Sequence, residues 1–270
     1  MAERGARKRF GQNFLRDANV IARILRAIDP RPGQRLVEIG PGRGAMTFPL
    51  LETVGAMTAI EIDRDLVPLL RAAAPAHGRL DVVEADVLTV DFGVLAAGER
   101  LRVVGNLPYN ISTPVLFHLL DRVDVIADMH FMLQREVVER MAAPHGDKTY
   151  GRLSVALQAR CRVEKLFRVM PGSFWPVPKV ESAIVRLVPL HDPAREALAA
   201  PLDRVLRAAF AQRRKTLSNA LDGVLDAVTI ASCGVRPEAR AEQVDVSGFL
   251  RLAHAAERIG LQDSASPEQS

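Results

Sequence analysis

The most informative stretch of this sequence for the fold is Val37-Glu38-Ile39-Gly40-Pro41-Gly42-Arg43-Gly44-Ala45. A short apolar strand runs into a turn that contains three glycines, and a helix is predicted to begin behind it. Glycine permits a tight turn and lets the backbone approach a ligand closely. Glu61 ends the next predicted strand, about 20 residues after Gly40, where an acid commonly binds a ribose hydroxyl. The spacing favours a nucleoside-type ligand, although a plain strand–helix turn and the dinucleotide pattern Gly40-x-Gly42-x-x-Ala45 remain open.

A regular alternation of strands and helices surrounds this turn. Apolar runs predict strands, and a period of 3.6 residues predicts helices. The predicted strands are Arg35–Ile39, Ala56–Ile60, Leu80–Glu84, Arg102–Val104 and Met129–Leu133, and the predicted helices are Ala18–Ile28, Ala45–Thr53, Arg64–Ala73, Ser112–Leu120 and Arg135–Met141. Ser112 is expected to cap its helix. The alternation predicts an α/β fold with a doubly wound parallel sheet.

The pattern changes near residue 190. Val163–Val169 and Ala183–Val188 are predicted strands, and such a pair suits an antiparallel hairpin at the edge of the sheet. Behind Asp192 every apolar pattern is helical, at about residues 202–211, 215–221, 225–232 and 247–259. We therefore predict a ligand-binding domain over residues 1–190, a small helical domain over residues 191–262 and a polar, disordered tail over residues 263–270.

The composition limits the class of protein. The chain has 270 residues, of which 48% are hydrophobic and 25% are charged, as in an ordinary folded domain. No apolar run reaches the roughly 18 residues of a membrane helix, and no signal-peptide core follows the basic start. Cys161 and Cys233 stand far apart, so they predict neither a disulfide framework nor a zinc site. We expect a reduced, cytoplasmic, monomeric protein without a structural metal.

Basic residues are concentrated in two short segments, although the net charge is only +4. Residues 1–16 carry all of this excess, and a second cluster lies in the last third of the chain. The candidate phosphate contacts in the two segments are Arg7, Lys8, Arg9, Arg213, Arg214 and Lys215. Local clusters on an otherwise neutral chain favour a polyanion held at particular places, the alternative being a solvated face.

Two further features favour S-adenosylmethionine over a dinucleotide. Asp86 ends the third strand as Glu61 ends the second, and two acids suit a ligand with both a ribose diol and an adenine amine. Gly44 extends the turn to a Gly-x-Gly-x-Gly spacing. A dinucleotide places its pyrophosphate at the helix N-terminus, whereas S-adenosylmethionine has no pyrophosphate. By itself this spacing discriminates only weakly between the two ligands. Asp86 suits a simple turn cap equally well, and that alternative stays open.

Asn106-Leu107-Pro108-Tyr109 follows the fourth strand, at the edge where α/β proteins bind ligands. The exocyclic nitrogen of adenine is a poor nucleophile because its lone pair is delocalised into the ring. An asparagine amide oxygen and a neighbouring backbone carbonyl can accept its hydrogens and favour a more tetrahedral nitrogen. Pro108 stiffens the turn, and Tyr109 can stack on the base. These four residues form the predicted catalytic motif, the alternative being a turn with a core tyrosine.

Two other segments supply candidate residues. Phe174-Trp175-Pro176-Val177-Pro178-Lys179-Val180 is a loop whose prolines let it present an aromatic ring at low entropic cost. Phe174 is the predicted second stacking wall for the base, and Lys179 is a candidate phosphate contact. Trp175 suits packing between domains equally well. Asn13 and Leu15, in the N-terminal segment, are predicted to close over the ligand.

These motifs resemble those of the small-subunit ribosomal RNA adenine N6,N6-dimethyltransferases. The matching stretches run in order over about residues 8–222 and are Phe10–Leu15, Glu38–Gly44, Gly105–Ser112, Tyr150–Ser154, Phe174–Val180 and Gln212–Leu217. The resemblance implies a Rossmann-like methyltransferase sheet followed by a small all-helical domain that contacts RNA. It implies dimethylation of N6 of two adjacent adenines in the 3′-terminal hairpin of small-subunit rRNA, late in ribosome assembly, with S-adenosylmethionine as the donor and no metal.

The same motif match implies individual roles. Seven residues would contact S-adenosylmethionine, and Tyr109 and Phe174 would sandwich the base. The seven are Asn13, Leu15, Gly40, Gly42, Glu61, Asp86 and Asn106.

Three alternatives are weighed against this interpretation. The related family that dimethylates large-subunit rRNA shares the fold and the Asn-x-Pro-Tyr signature, but Leu107 and Gln212–Leu217 resemble the small-subunit group. A non-catalytic RNA-binding relative is disfavoured by the intact glycine turn and by Asn106 and Tyr109. A dehydrogenase on the same fold would leave residues 106–109 unexplained.

Overall fold

The computed structural model describes residues 13–212 and 214–265. Its strands are β1 (Phe14–Leu15), β2 (Leu36–Ile39), β3 (Ala56–Glu61), β4 (Arg79–Glu84), β5 (Leu101–Asn106), β6 (Ile126–Gln134), β7 (Cys161–Val169), β8 (Phe174–Trp175) and β9 (Ser182–Pro189). Seven of these strands form one sheet in the order β4–β3–β2–β5–β6–β9–β7. The pairs from β4 to β6 are parallel, and β9 runs antiparallel to β6. The predicted α/β class is confirmed.

The helices follow the strands in alternation over the first half of the chain. In chain order they are α1 (Ala18–Ile28), α2 (Thr47–Val54), α3 (Val67–Ala73), α4 (Phe92–Ala96), α5 (Ser112–Leu120), α6 (Arg135–Met141), α7 (Arg152–Gln158), α8 (Pro193–Ala197), α9 (Ala199–Ala209), α10 (Leu217–Ala220), α11 (Ala227–Ser232) and α12 (Val246–Ala265). No helix among these residues is both long enough and apolar enough to cross a membrane.

The burial of the central strand β2 indicates that the sheet is covered on both of its faces. All four of its residues are buried, which is typical of a parallel strand covered by helices on both faces. Helix α1 covers part of this sheet with Val20, Ile24 and Ile28. Its start is fixed by Asp17, whose carboxylate accepts hydrogen bonds from the backbone of the first turn at 2.9 and 3.2 Å.

One buried ion pair ties α1 to the sheet. Arg102 on β5 donates to both carboxylate oxygens of Asp128 on β6, at 2.8 and 2.9 Å. The same guanidinium donates to the backbone carbonyl of Ile28 at 2.5 Å and to that of Asp29 at 3.1 Å. Both partners are largely buried. His130 lies beside them, and burial lowers its pKa to about 4, so its ring is neutral at pH 7.

Two short-range predictions are wrong. Ser112 does not cap α5: the cap position is Ile111, and Ser112 is the first helical residue. Its hydroxyl donates instead to the backbone carbonyl of Tyr109 at 3.2 Å. Helix α12 continues to Ala265, three residues into the tail that was expected to be disordered, and residues 266–270 lie outside the described part of the chain.

The described chain divides into two compact units. The first contains residues 13–138 and 164–189, and the second contains residues 139–163 together with residues 190–265. Residues 139–163 thus group with the helical unit, whereas the predicted first domain extends unbroken to residue 190. Tyr150 illustrates the reason, because its hydroxyl donates to the backbone carbonyl of Val244 at 3.0 Å. Tyr150 lies between β6 and β7 in the sequence, yet it contacts a residue that lies just before α12.

Aromatic and aliphatic packing holds the helical unit together. Phe249 on α12 is fully buried and its ring centre lies 5.5 Å from that of Phe210. Leu206 and Val205 on α9 are buried as well. Arg152 on α7 adds an ion pair with Asp203 on α9 at 2.7 Å. Apolar faces on α9 and α12 therefore form the core of this unit.

Candidate active site

A cavity lies at the carboxyl edge of the parallel strands, within the first unit. Its wall is built from the residues that directly follow β2, β3, β4 and β5, together with residues of β1. Ten of the predicted site residues line it, namely Asn13, Leu15, Gly40, Gly42, Glu61, Asp86, Asn106, Leu107, Pro108 and Tyr109. The topology brings them together because parallel strands all end at the same edge.

The glycine turn forms the floor of the cavity. Gly42 has a φ of +59°, which favours glycine, and a Cβ there would lie 3.2 Å from ring atoms of Phe14. Its backbone N–H donates to the Glu61 carboxylate at 3.1 Å. The neighbouring strand thus holds the turn. A side chain at position 42 would adopt a strained φ and would require the Phe14 ring to shift.

The two strand-end acids differ in environment. Glu61 is buried and also accepts the backbone N–H of Asp63 at 2.9 Å. Burial is the main cause that raises its pKa, and these backbone hydrogen bonds oppose the rise. Asp86 is exposed and accepts the N–H of Leu88 at 3.0 Å, so it does cap a short 3₁₀ turn. It lines the cavity as well, so its capping contact does not remove it from the cavity wall.

Glu38 on β2 lines the cavity, although the sequence analysis did not single it out. It is 1% exposed, and its Oε2 has no hydrogen-bond partner among the described residues. Burial raises its pKa to about 7, the Thr47 hydroxyl opposes this, and the charge of Glu61 adds to it. An acid inside an otherwise apolar strand, just before the glycine turn, is the sequence signal that could have identified it.

Asn106 is held in one orientation by the N-terminal segment. Its Nδ2 donates to the backbone carbonyl of Asn13 at 3.0 Å. Because the amide nitrogen is used in this way, Oδ1 is the end of the amide that can accept a hydrogen from a ligand. Leu107 is buried, and its N–H donates to the carbonyl of Met132 on β6 at 3.2 Å. The start of the motif is therefore held by two separate segments, the residue that precedes β1 and the strand β6.

Tyr109 is half-buried at the cavity wall. Its hydroxyl lies 2.8 Å from Oγ of Ser182, the first residue of β9. Burial raises the pKa of Tyr109, so the phenol is neutral at physiological pH. A ring in this place can offer its face to a planar ligand.

Phe174 is placed differently from the prediction. It was expected to be exposed, but it is 3% exposed and belongs to the core cluster that also contains Leu15. The cause is the antiparallel pairing of β1 with β8, which sets Leu15 opposite Phe174 and Phe14 opposite Trp175. Phe174 is not among the residues that line the cavity. Its role as a stacking wall stays a prediction.

The basic candidates are spread over the chain. Lys179, Arg214 and Lys215 are exposed. Arg7, Lys8, Arg9 and Arg213 lie outside the described residues. Among residues 13–212 and 214–265 no cluster of three or more metal-binding side chains is placed to hold an ion.

Comparison with known proteins identifies the family. The model of the family described as ribosomal RNA adenine dimethylase matches residues 4–258. The chain belongs to this family. The ribosomal RNA small subunit methyltransferase A of Xanthomonas campestris pv. campestris is 58% identical over 253 residues, which cover 92% of this chain and 95% of that protein. The protein of the same name from Xanthomonas oryzae pv. oryzae is 59% identical over 255 residues, with the same shares.

Solved structures support the same family. A dimethyladenosine transferase from Plasmodium falciparum superposes with a TM-score of 0.79 and 25% identity, covering 92% of this chain and 98% of that one. The 23S rRNA methyltransferase ErmE gives a TM-score of 0.70 and 28% identity, covering 91% of this chain and 100% of that one. The predicted family, fold class and enzyme class, an rRNA methyltransferase, are thereby confirmed. The roles of individual residues stay predictions.

Proposed function

We propose that this chain transfers methyl groups from S-adenosylmethionine to N6 of two adjacent adenines in the 3′-terminal hairpin of small-subunit rRNA. The proposed setting is the cytoplasm, on an assembling ribosomal subunit. One observation carries the proposal: a single cavity combines the glycine turn and the strand-end acids with the Asn106–Tyr109 motif. The family and the names of its relatives support it.

The residues of the cavity fit S-adenosylmethionine. Glu61 and Asp86 provide acceptors for ribose hydroxyls and for an adenine amine. Leu15 of β1 and Asn13, which precedes that strand, close the cavity. The buried Oε2 of Glu38, which lacks a partner among the described residues, suits the ammonium group of the amino-acid moiety. When bound, S-adenosylmethionine supplies a methyl group on a sulfonium that carries its own leaving group.

Asn106 and Tyr109 would act on the adenine. Oδ1 of Asn106 accepts one N6 hydrogen, which favours the tetrahedral nitrogen that attacks the methyl carbon. Each transfer forms one N–C bond, breaks one C–S bond and releases one proton from N6. Asn106 is a neutral acceptor, so it orients this proton and does not keep it. Tyr109 stacks on the base and holds it in line.

Exposed basic side chains would hold the RNA backbone. Lys179, Arg214 and Lys215 are the described candidates, and Arg7, Lys8, Arg9 and Arg213 complete the proposed set. Contacts with phosphates position an RNA without selecting its sequence, so these residues would contribute affinity that weakens with salt.

Labelled methyl transfer tests the proposed function. Undermethylated small ribosomal subunits and large subunits would be incubated in parallel with the enzyme and labelled S-adenosylmethionine, and the modified base would be mapped. We expect dimethyladenosine at two adjacent positions of the small-subunit 3′ hairpin. Label on the large subunit would assign the substrate of the related family instead. Absence of label on both, with the donor still bound, would contradict a catalytic role on rRNA.

Glu38 gives a prediction that joins donor binding to stability. Replacing Glu38 with glutamine removes a carboxylate that would pair with the donor ammonium, and a charge-assisted hydrogen bond of this kind contributes about 1.5–3 kcal/mol. We expect donor affinity at pH 7.5 to fall by about 10- to 100-fold. In the unsubstituted enzyme affinity should fall as the pH drops below about 7, since protonation removes the charge. Calorimetric titrations between pH 5.5 and 7.5 would measure both effects.

The same substitution should stabilise the fold at neutral pH. The pKa of Glu38 rises from 4.5 to about 7 on folding, so its burial costs nothing below about pH 4.5 and the full amount above about pH 7. A shift of this size corresponds to at most about 3 kcal/mol. We expect Glu38→Gln to unfold at higher urea concentration at pH 7.5 but not at pH 4.5. The exposed Glu99, replaced in the same way, serves as the control and should change neither property. Equal donor affinity in the two variants would contradict the assignment.

A further inference from the structure

The Tyr109 ring is anchored at both ends. At the backbone end, the hydroxyl of Ser112 donates to the Tyr109 carbonyl at 3.2 Å, and the turn is closed by the Ile111 N–H on the Pro108 carbonyl, also at 3.2 Å. At the far end, the phenol oxygen lies 2.8 Å from Oγ of Ser182. A tyrosine side chain has two main torsions, so two anchors leave its ring few other orientations.

Ser182 is well placed to be a fixed anchor. It is fully buried, and it pairs with Gln134 at the end of β6. Since β9 is antiparallel, its first residue lies at the edge of the sheet where the parallel strands β5 and β6 end. Met132 of β6 lies opposite both Asn106 of β5 and Ile184 of β9. Three neighbouring strands therefore set the distance between the Tyr109 hydroxyl and Ser182.

We infer that Ser182 is a positioning residue for base stacking, which holds the Tyr109 ring in the orientation that receives the adenine. The inference rests on the proposed function, in which Tyr109 stacks on the base, and adds the residue that prepares the ring for it. Preorganisation matters here because a ring that is free to rotate must be ordered each time a base enters. The Ser182 hydroxyl does not touch the donor or the reacting atoms in this role, since Ser182 does not line the cavity.

A double-mutant cycle tests the pair. The variants Tyr109→Phe, Ser182→Ala and the double replacement would be assayed for kcat and KM with undermethylated small subunits at saturating donor. We expect each single replacement to lower kcat/KM by roughly 3- to 10-fold, the effect of ordering one side chain. The double replacement should lose no more than either single one, because both remove the same hydrogen bond. Donor affinity should stay unchanged in all three.

Further variants separate this role from a structural one. Ser154→Ala removes another fully buried hydroxyl, which donates to the Arg140 carbonyl at 2.5 Å, so it reports the effect of losing such a bond elsewhere. It should lower thermal stability without the loss in kcat/KM. Ser182→Thr keeps the hydroxyl and should restore activity. If Ser182 variants fail to fold, Tyr109→Phe carries the test, because it removes the same bond without changing the interior of β9.

The outcomes distinguish the two proposals. Tyr109→Ala should lower kcat/KM by roughly 10- to 100-fold, as expected for the loss of one base stack. Activity of Tyr109→Ala near that of the unsubstituted enzyme would overturn stacking and, with it, the role of Ser182. A strong loss in Tyr109→Ala, together with full activity of Tyr109→Phe and Ser182→Ala, would overturn only the positioning role. Losses that multiply in the double variant would overturn it as well.

Discussion

Replacing Asn106 with alanine is expected to lower methyl transfer by about 100- to 1000-fold while the protein remains folded. The Asn106 amide is oriented by its bond to the Asn13 carbonyl, and Oδ1 is thereby available to accept an N6 hydrogen. Without that acceptor, the N6 lone pair stays delocalised into the adenine ring and the nitrogen attacks poorly. Loss of one preorganised hydrogen-bonding group in an active site costs about 10²–10³-fold in kcat. Single-turnover transfer of labelled methyl at saturating donor would measure it.

Asn110 offers the matched control for this experiment. It carries the same side chain in the same turn but is exposed. Asn110→Ala should retain activity close to that of the unsubstituted enzyme. Circular dichroism and donor titration would show that Asn106→Ala is folded and that the donor concentration saturates it. Near-normal turnover of Asn106→Ala, or an equal loss in Asn110→Ala, would contradict the proposed mechanism.

Replacing Asp128 with alanine is expected to produce the largest loss of stability among the changes considered. The substitution leaves the Arg102 guanidinium largely buried without the carboxylate that accepts two of its hydrogens. Breaking a buried pair by removing one partner costs about 3–5 kcal/mol, because an uncompensated charge stays inside the protein. The effect should be seen in urea unfolding of the first unit. Catalysis should be little affected in the folded fraction, since Arg102 lies at the start of β5 and Asn106 at its end.

An exposed ion pair in the same unit provides the comparison. Arg31 and Asp29 lie 2.7 Å apart, with both side chains about two-thirds exposed. Arg31→Ala should therefore cost less than about 1 kcal/mol. Replacing both Arg102 and Asp128 with apolar residues should cost less than Asp128→Ala alone, because no charge is then left buried. A loss below about 1 kcal/mol for Asp128→Ala would show that the pair is not important for stability.

Local patterns predicted the elements of the first unit well. Helices α1, α5 and α6 have the bounds that their periodicity predicted, and the five predicted parallel strands are present within a few residues. These elements are set by apolar spacing and by turn residues, which involve only a few neighbouring positions. Such local patterns can be identified in a single sequence. The same local signals identified ten residues that line the cavity, because each follows directly on a strand or belongs to a motif.

Pairings between distant residues were not predicted. The pairing of β1 with β8 joins segments about 160 residues apart in the chain. It buries Phe174, which the proline-rich loop around it had suggested to be exposed. The grouping of residues 139–163 with the helices is of the same kind. No local pattern contains these contacts, since they depend on how whole strands and helices are arranged in space.

The strand–turn–helix around Gly40, the acids at the strand ends and the Asn106–Tyr109 motif can all be identified from the chain alone. The contacts that hold these side chains appear only in the folded protein. The tertiary structure sets the Asn106 amide against Asn13, the Tyr109 hydroxyl against Ser182, and Glu38 in a buried position that raises its pKa. Hydrogen bonds and desolvation depend on distances between atoms that are remote in the chain, and these distances are fixed only when the sheet has formed.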